Sequence, residues 1–267
     1  MTSALFHDAL APLRSDPSGS AVLLDIDGTL SPIVANAAEA GVPEPTRQLL
    51  ITIARRYALV ACVSGRRASD ARAMVSIGTI TYVGSHGSEL LNPGWTEAVL
   101  DPALAEWVPK IEAFRHRYDT TDLQRMRVRI EDKGAMLAFH WRQARDEHAA
   151  RAMVDEIGRG ARTAGLDVMW GRKVMEVRPP VEVDKGVGIN TLLSGRHFAN
   201  VLYAGDDTTD LDAFRAVREL EQEGAIDRAV CVGVRSDEGP AEIQEEADIV
   251  VEGTEGMQRL LAALSAE

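Results

Sequence analysis

The chain has 267 residues, 45% hydrophobic and 26% charged, with 29 basic against 41 acidic side chains and a net charge of −12. That length carries one large domain, or a core domain with a smaller one attached. The acidic excess argues against nucleic acid and anionic membrane as partners, which call for basic patches. It leaves an anionic small substrate open, because surface charges more than ~8 Å away are largely screened and local cations decide.

Two cysteines, Cys62 and Cys231, each fall in an apolar, strand-like run. That predicts buried, reduced thiols, with no disulfide framework and no zinc site. The opening "MTSALFHDALAPLRSDP" has no long apolar run after a basic start, so no signal peptide is expected. No window approaches the ~18 apolar residues of a membrane span. A cytoplasmic location is the resulting expectation.

In chain order, Ala21–Ile26 is predicted as the first strand, nearly all apolar as in a parallel sheet covered on both faces. "PEPTRQLLITIARRY" follows with helical spacing at Leu49, Leu50 and Ile53. "ALVACVS" is a second strand, "RRASDARAMVS" its helix and "TITYVG" a third strand. Alternating strands and helices imply a parallel sheet with right-handed crossovers.

The pattern then changes. Asp101 to Tyr118 reads as helical, and "RMRVRIEDKGAMLAFHWR" as two strands around a turn near Lys133–Gly134. The first of these alternates, with Arg125, Arg127 and Arg129 on one face and Met126, Val128 and Ile130 on the other. Asp146 to Ala164 is predicted helical, and "LDVMW" and "KVMEV" are two strands joined by a tight turn at Gly171. This predicts an open antiparallel sheet with helix on one face, inserted as residues 107–180 into a core formed by residues 1–106 and 181–267. From Asp184 the first pattern resumes: "KGVGINTLLSG" as helix, "NVLYAG" as strand, "DDTTDLDAFRAV" as a loop entering a helix. Strands "AVCVGV" and "ADIVVE" and a terminal helix "TEGMQRLLAALSAE" complete the chain, without internal repeats.

Ligands of open α/β sheets bind beyond the carboxyl ends of the strands, near the switch in strand order. Three polar clusters fall at such ends: "DIDGT", "SGR" and "GDDTTD", with Lys185 opening a helix after the insert. Asp25 and Asp27 point to one side if strand geometry persists. A Mg²⁺ ion is the natural partner for them, being held by one or two carboxylates plus substrate phosphate. Asp206 would add a third carboxylate, Gly28 and Thr29 backbone N–H groups for a phosphate, and Ser64 its hydroxyl. Lys185 would balance charge; one such contact at ~4 Å and an effective dielectric near 20 is on the order of 4 kcal/mol before desolvation. A carboxylate there can be a nucleophile through an aspartyl-phosphate. Each cluster alone has a plainer reading: an acid pair in a turn, Ser64 as a helix cap, "GDDTTD" as a capped helix start. Four clusters in order, each at an expected element end, favour phosphoryl transfer.

These residues carry a resemblance. "DIDGTL", "SGR", the helix-opening lysine and "GDDTTD" resemble the four motifs of haloacid dehalogenase-type phosphatases. "DGTLSPI", "GSHGSEL", "IEDKGAMLAFHWR", "VMEVRPP", "DKG" and "YAGDDTTDLDAF" resemble the trehalose-6-phosphate phosphatases, in that family's order. The resemblance implies a Rossmann-like parallel-sheet core with a smaller inserted α+β cap. It implies Mg²⁺-dependent hydrolysis of trehalose 6-phosphate to trehalose and phosphate, the last step of trehalose biosynthesis. Asp25 would be nucleophile and metal ligand. Asp27 would be general acid, then base, and bind the metal through its backbone carbonyl. Asp206 would complete the protein ligands, Asp207 and Asp210 would orient metal-bound waters, and Ser64 and Lys185 would hold the phosphoryl group. The rival readings are a phosphatase for sucrose phosphate or a glycosylglycerate phosphate, and a non-catalytic sugar-phosphate sensor.

Sugar recognition needs polar groups on a rigid face. Strand alternation puts Glu131 on the Arg face, with Lys133 if the strand reaches it, and puts Glu176 with Arg178 opposite Met175 and Val177. Similar cap residues contact glucose hydroxyls in the family, so Glu131, Lys133, Glu176 and Arg178 are the candidates. His86 follows a core strand end, as a substrate contact or a structural residue. Arg66 could hold the phosphate or a cap acid. Arg125, Arg127 and Arg129 read as an exposed strand face, and His140 and Trp141 as cap core and rim. The cap is expected to open and close, with hinges near Asn92–Gly94 or Pro102–Trp107 and near Pro179–Pro180. The expected partner is the small-molecule substrate alone, with the chain a monomer.

Overall fold

A computed structural model describes residues 3–34, 40–181, 183–236 and 239–266, with side chains from residue 8 onward. Glu267, the end of the predicted terminal helix, lies outside the described residues. The chain divides into two compact units, Met1–Val99 with Val183–Glu267, and Leu100–Glu182.

In chain order the elements are α1 (Ser3–Ser15), β1 (Ser20–Leu24), α2 (Glu44–Ala54), β2 (Leu59–Val63), α3 (Ala68–Val75), β3 (Thr81–Gly84), β4 (Glu89–Leu91) and β5 (Val99–Leu100). There follow α4 (Pro102–Ala105), α5 (Val108–Tyr118), α6 (Thr121–Arg125), β6 (Arg129–Asp132), β7 (Leu137–His140), α7 (Glu147–Thr163), β8 (Asp167–Gly171) and β9 (Val174–Arg178). The last are α8 (Lys185–Leu193), β10 (Asn200–Gly205), α9 (Thr208–Gln222), β11 (Ala229–Arg235), α10 (Ala241–Glu246), β12 (Ile249–Glu252) and α11 (Gly253–Ser265).

The first unit is built on an eight-stranded sheet in the order β12-β11-β10-β1-β2-β3-β4-β5. From β12 to β3 every pairing is parallel, and β4, which sequence reasoning did not pick out, runs antiparallel to β3. β1 is buried at every position because it has helices on both faces. Val22 and Leu24 pack with Leu10 and Leu13 of α1, Leu50 and Ile53 of α2, Ala71 and Val75 of α3, and Leu260 and Leu264 of α11. Ala21 and Leu23 face the other way, toward Ile189 and Leu193 of α8, Phe214 and Val217 of α9, and Ile243 of α10. Full burial of each such aliphatic side chain is worth about 1.5–3 kcal/mol.

Strand order reverses between β1 and β10: the chain winds outward through β2 and β3, then returns to the far edge of β1. Residues 180 positions apart, such as Leu24 and Ala204, thereby become neighbours, and Asp25 N–H donates to Ala204 O at 2.8 Å. Asp25 directly follows β1 and Asp206 directly follows β10, so two carboxylates meet at the switch point.

The second unit is a four-stranded antiparallel sheet in the order β6-β7-β9-β8. Leu137, Phe139, Met175 and Val177 pack against Ala150, Val154, Ile157 and Ala161 of α7 and against Ile111 and Phe114 of α5. The apolar positions of α7 recur at spacings of three and four, which makes one stripe for the sheet. The strand expected from Arg125 is shorter. Thr120 caps α6 by accepting from Leu123 N–H at 3.3 Å, and Arg127 has φ of 57°, so extended structure begins only at Arg129. A local cap thus overrides the alternation of "RMRVRI", and the three arginines share no strand face.

Candidate active site

At the carboxyl end of β1 the Asp25 carboxylate is almost fully buried. Its Oδ1 accepts from Lys185 Nζ at 2.6 Å, and the same ammonium donates to Asp210 Oδ1 at 2.6 Å. Lys185 is placed by its position as first residue of α8, whose start is fixed by Asp184 Oδ1 accepting from Val187 N–H at 2.8 Å. Asp210 lies in the first turn of α9, where Asp207 and Asp210 form a capping box. The plain reading of "GDDTTD" as a capped helix start therefore holds.

Four donors converge on Asp210. Oδ1 accepts from Lys185 and from Tyr203 Oη at 2.6 Å, and Oδ2 from Asp206 N–H at 3.0 Å and Asp207 N–H at 2.9 Å. Asp207 itself turns Oδ1 to Thr208 N–H at 2.6 Å. Asp206 Oδ1 accepts from Thr29 Oγ1 at 3.3 Å. Tyr203 was not among the residues expected here. Burial and the nearby carboxylates of Asp210 and Asp25 hold its phenol well above the usual range, so it stays protonated and donates.

The electrostatics are those of an acid cluster short of positive charge. Burial first, and the charges of Asp210 and Asp206, push the Asp25 carboxyl well above the carboxylate range against the pull of Lys185. Asp206 is pushed up to about 7 by burial, then by Asp210 and Asp207. Burial would lower Lys185, but Asp210 and Asp25 more than offset it and hold the ammonium above its usual range. Among the described residues, ligand oxygens of Asp25, Asp206 and Asp210 lie within 4.8 Å of one another. With all three ionised, the carboxylates exceed the one ammonium by two negative charges, and Asp25 Oδ2 is buried without a hydrogen-bond partner. An orphaned carboxylate oxygen beside a second carboxylate fits a hard divalent cation.

Gly28 departs from expectation. Its N–H, expected to face an anion, donates to Ser31 O at 2.8 Å. Glycine is needed at 28 for another reason: φ is 91°, and a Cβ would stand 2.0 Å from Asp206 Oδ2. The Thr29 hydroxyl donates to Asp206.

Ser64 is buried at the end of β2. Its Oγ accepts from Arg66 N–H at 3.1 Å, which leaves its own hydroxyl proton to donate. It does not cap α3; that helix starts at Ala68, whose N–H is taken by buried Glu89 Oε2 at 2.8 Å. Arg66 forks onto Asp27, Nε to Oδ2 and Nη2 to Oδ1, each at 2.7 Å. The acid that Arg66 binds is thus one of the core, which neither sequence reading of Arg66 named. His86 N–H donates to Ser64 O at 3.1 Å, and its ring lies so close to Gly65 that a Cβ there would be 2.6 Å from Cε1. His86 has φ of 57° between two other positive-φ residues, Ser85 and Gly87, a strained turn beside Ser64.

In the second unit, Glu131, Glu176 and Arg178 share the sheet face opposite α7, with Glu131 and Glu176 both registered to Ala138. Lys133 Nζ donates to Glu176 Oε1 at 2.8 Å. His140, expected in the core or rim, stands on this polar face with Nε2 2.7 Å from Glu131 Oε2. The His140 hydrogen bond is the main cause holding Glu131 down at about 2, with Lys133 and Arg129 adding to it against burial. Alternation puts His140 and Ala138 on the face opposite Phe139, so the polar side of position 140 was legible; its partner was not.

The profile of the trehalose-phosphatase family matches residues 23–247. A probable trehalose-phosphate phosphatase 4 of Oryza sativa subsp. japonica is 32% identical over 208 residues, covering 75% of this chain and 56% of that protein. A trehalose-phosphate phosphatase of Mycobacterium avium is 36% identical over 207 residues, covering 74% and 51%. The chain thus spans a little over half the length of these relatives. The crystal structure of a trehalose-6-phosphate phosphatase related protein superposes with a TM-score of 0.71 at 22% identity, covering 92% of this chain and 96% of the other. A haloacid dehalogenase-like hydrolase from Bacteroides thetaiotaomicron gives 0.61 at 16% identity, covering 91% and 98%. At these identities the structures establish the fold: a haloacid dehalogenase-type core carrying a separate antiparallel cap.

Proposed function

The chain belongs to the trehalose-phosphatase family, and from that premise we propose that it hydrolyses trehalose 6-phosphate to trehalose and phosphate with Mg²⁺, through an aspartyl-phosphate on Asp25. The observation that carries the reading is the buried Lys185–Asp25 contact at the sheet's switch point, with Asp25 Oδ2 unpartnered and Asp206 alongside. Asp25 Oδ2, an Asp206 oxygen and the Asp27 backbone carbonyl would hold the ion. When bound, it supplies positive charge that keeps Asp25 ionised and neutralises the phosphoryl oxygens.

The remaining chemistry belongs to the chain. Asp25 attacks phosphorus while Lys185 and the Ser64 hydroxyl hold the phosphoryl oxygens. Asp210 acts from behind, by fixing Lys185 against Asp25. Asp27 gives a proton to the leaving sugar oxygen, then takes one from the water that cleaves the aspartyl-phosphate. Arg66 holds both Asp27 oxygens in this structure, so the fork has to release one of them before Asp27 carries the proton it gives. The polar face carrying Glu131, Lys133, Glu176 and Arg178 supplies partners for sugar hydroxyls, and His86 a contact near Ser64.

The test is phosphate release from trehalose 6-phosphate, sucrose 6-phosphate, glucosyl-3-phosphoglycerate and glucose 6-phosphate. Trehalose 6-phosphate should lead by at least about tenfold in kcat/KM. Activity should vanish with EDTA and return with Mg²⁺. Comparable rates across the panel would remove the substrate assignment, and full activity in EDTA would remove the metal.

A further inference from the structure

We propose that His140 is a positioning residue for substrate recognition, holding Glu131 so that one carboxylate oxygen is left to accept a sugar hydroxyl. The inference rests on the reading of Glu131 as a sugar contact, and it assigns a role to a residue outside that reading.

The argument starts from register. β6 and β7 pair Arg129 with His140 and Glu131 with Ala138, so His140 and Glu131 are diagonal neighbours on one face. Their side chains meet at 2.7 Å, Nε2 to Oε2. A carboxylate only accepts, so Nε2 must carry the hydrogen. Arg129 Nη2 approaches the same oxygen at 3.3 Å. Both contacts therefore fall on Oε2, and among the described residues Oε1 accepts no hydrogen bond. The small side chain of Ala138 lies directly across from Glu131, with Glu176 opposite on its other flank. Two carboxylates thus flank a methyl floor on strands ~10 Å apart, a width that suits a pyranose ring.

A glutamate without this tether samples several rotamers and loses them on binding. Immobilising such a side chain costs about three- to tenfold in affinity. The low pKa of Glu131, with His140 as its main cause, keeps the acceptor charged at every pH of use.

The experiment compares His140→Ala, His140→Gln, Glu131→Ala and the double variant Glu131→Ala/His140→Ala. Substrates are trehalose 6-phosphate and p-nitrophenyl phosphate, which has no sugar hydroxyls. His140→Ala should raise KM for trehalose 6-phosphate about three- to tenfold with a much smaller change in kcat. Its loss in kcat/KM should be several-fold greater on the sugar phosphate than on p-nitrophenyl phosphate. His140→Gln places an amide N–H near the Nε2 position and should restore most of the KM. Added to Glu131→Ala, the His140 change should do nothing further. The proposal is overturned by an unchanged KM in folded His140→Ala, by equal losses on both substrates, or by additive effects in the double variant. A parent chain that hydrolyses trehalose 6-phosphate no better than other sugar phosphates would instead remove the underlying reading, and this inference with it.

Discussion

Tyr203→Phe removes one oxygen and nothing else, yet the structure assigns it a measurable cost. The hydroxyl lies 2.6 Å from Asp210 Oδ1, both residues are wholly shielded from solvent, and Asp210 holds Lys185 on the same oxygen. A hydrogen bond to a charged group contributes about 1.5–3 kcal/mol, and the near-isosteric ring leaves little cavity to add. With a urea m-value near 2 kcal/mol/M, a loss of ~2 kcal/mol lowers the unfolding midpoint by roughly 1 M. Far-UV circular dichroism is the better monitor, since Trp107, Trp141 and Trp170 lie in the second unit and only Trp95 in the first. A second consequence follows at the site: Asp210, with one donor fewer, draws Lys185 from Asp25, and kcat should fall by about tenfold or more. Midpoints agreeing within about 0.2 M, together with unchanged kcat, would refute the reasoning.

Further expectations concern other links. Asp25→Asn should cut phosphate release by at least about 10³-fold, and unaltered turnover in protein free of contaminating phosphatase would contradict the mechanism. Gly28→Ala forces a side chain into a left-handed position 2.0 Å from Asp206 Oδ2, so Mg²⁺ binding by calorimetry should weaken along with activity; a folded variant with normal affinity would count against the site as described. Glu131 is held at about 2, below its usual 4.5. Its contribution to stability is therefore complete above about pH 4.5 and disappears as pH falls toward about 2, by an amount reduced at this part-exposed position. Glu131→Gln should flatten the acid limb of unfolding measured by tryptophan fluorescence, and an identical limb would mean the contact adds nothing.

The strand ends of the first unit were legible because chemistry there is written in contiguous motifs after apolar runs. "DIDGT" and "GDDTTD" announce acids where no buried strand would tolerate them, and parallel topology brings those ends together. What stayed hidden is pairing across elements. Tyr203 in "NVLYAG" reads as one more apolar strand residue, and nothing in its period shows a carboxylate waiting on α9. Glu89 looks like a surface acid but is buried as an acceptor for the first amide of α3. Arg66 offered two possible anions and chose a third, Asp27. In "TTDLQRMRVRI" two local signals competed, and Thr120-Thr121-Asp122, a helix-start signature, should have outweighed the alternation after it.

The adjacency of β1 and β10 also constrains how the protein can be made. A nascent chain leaves the ribosome with β1 first, and its partner edge stays open until residues 200–205 emerge, roughly 10–40 s later at ordinary elongation rates. The stretch from 100 to 182 is continuous and owes no strand to the future, so it can fold while the flanking sheet waits half-built. The valine- and leucine-rich ribbon of β1 therefore keeps an open edge through that interval, well before Asp25 has its lysine.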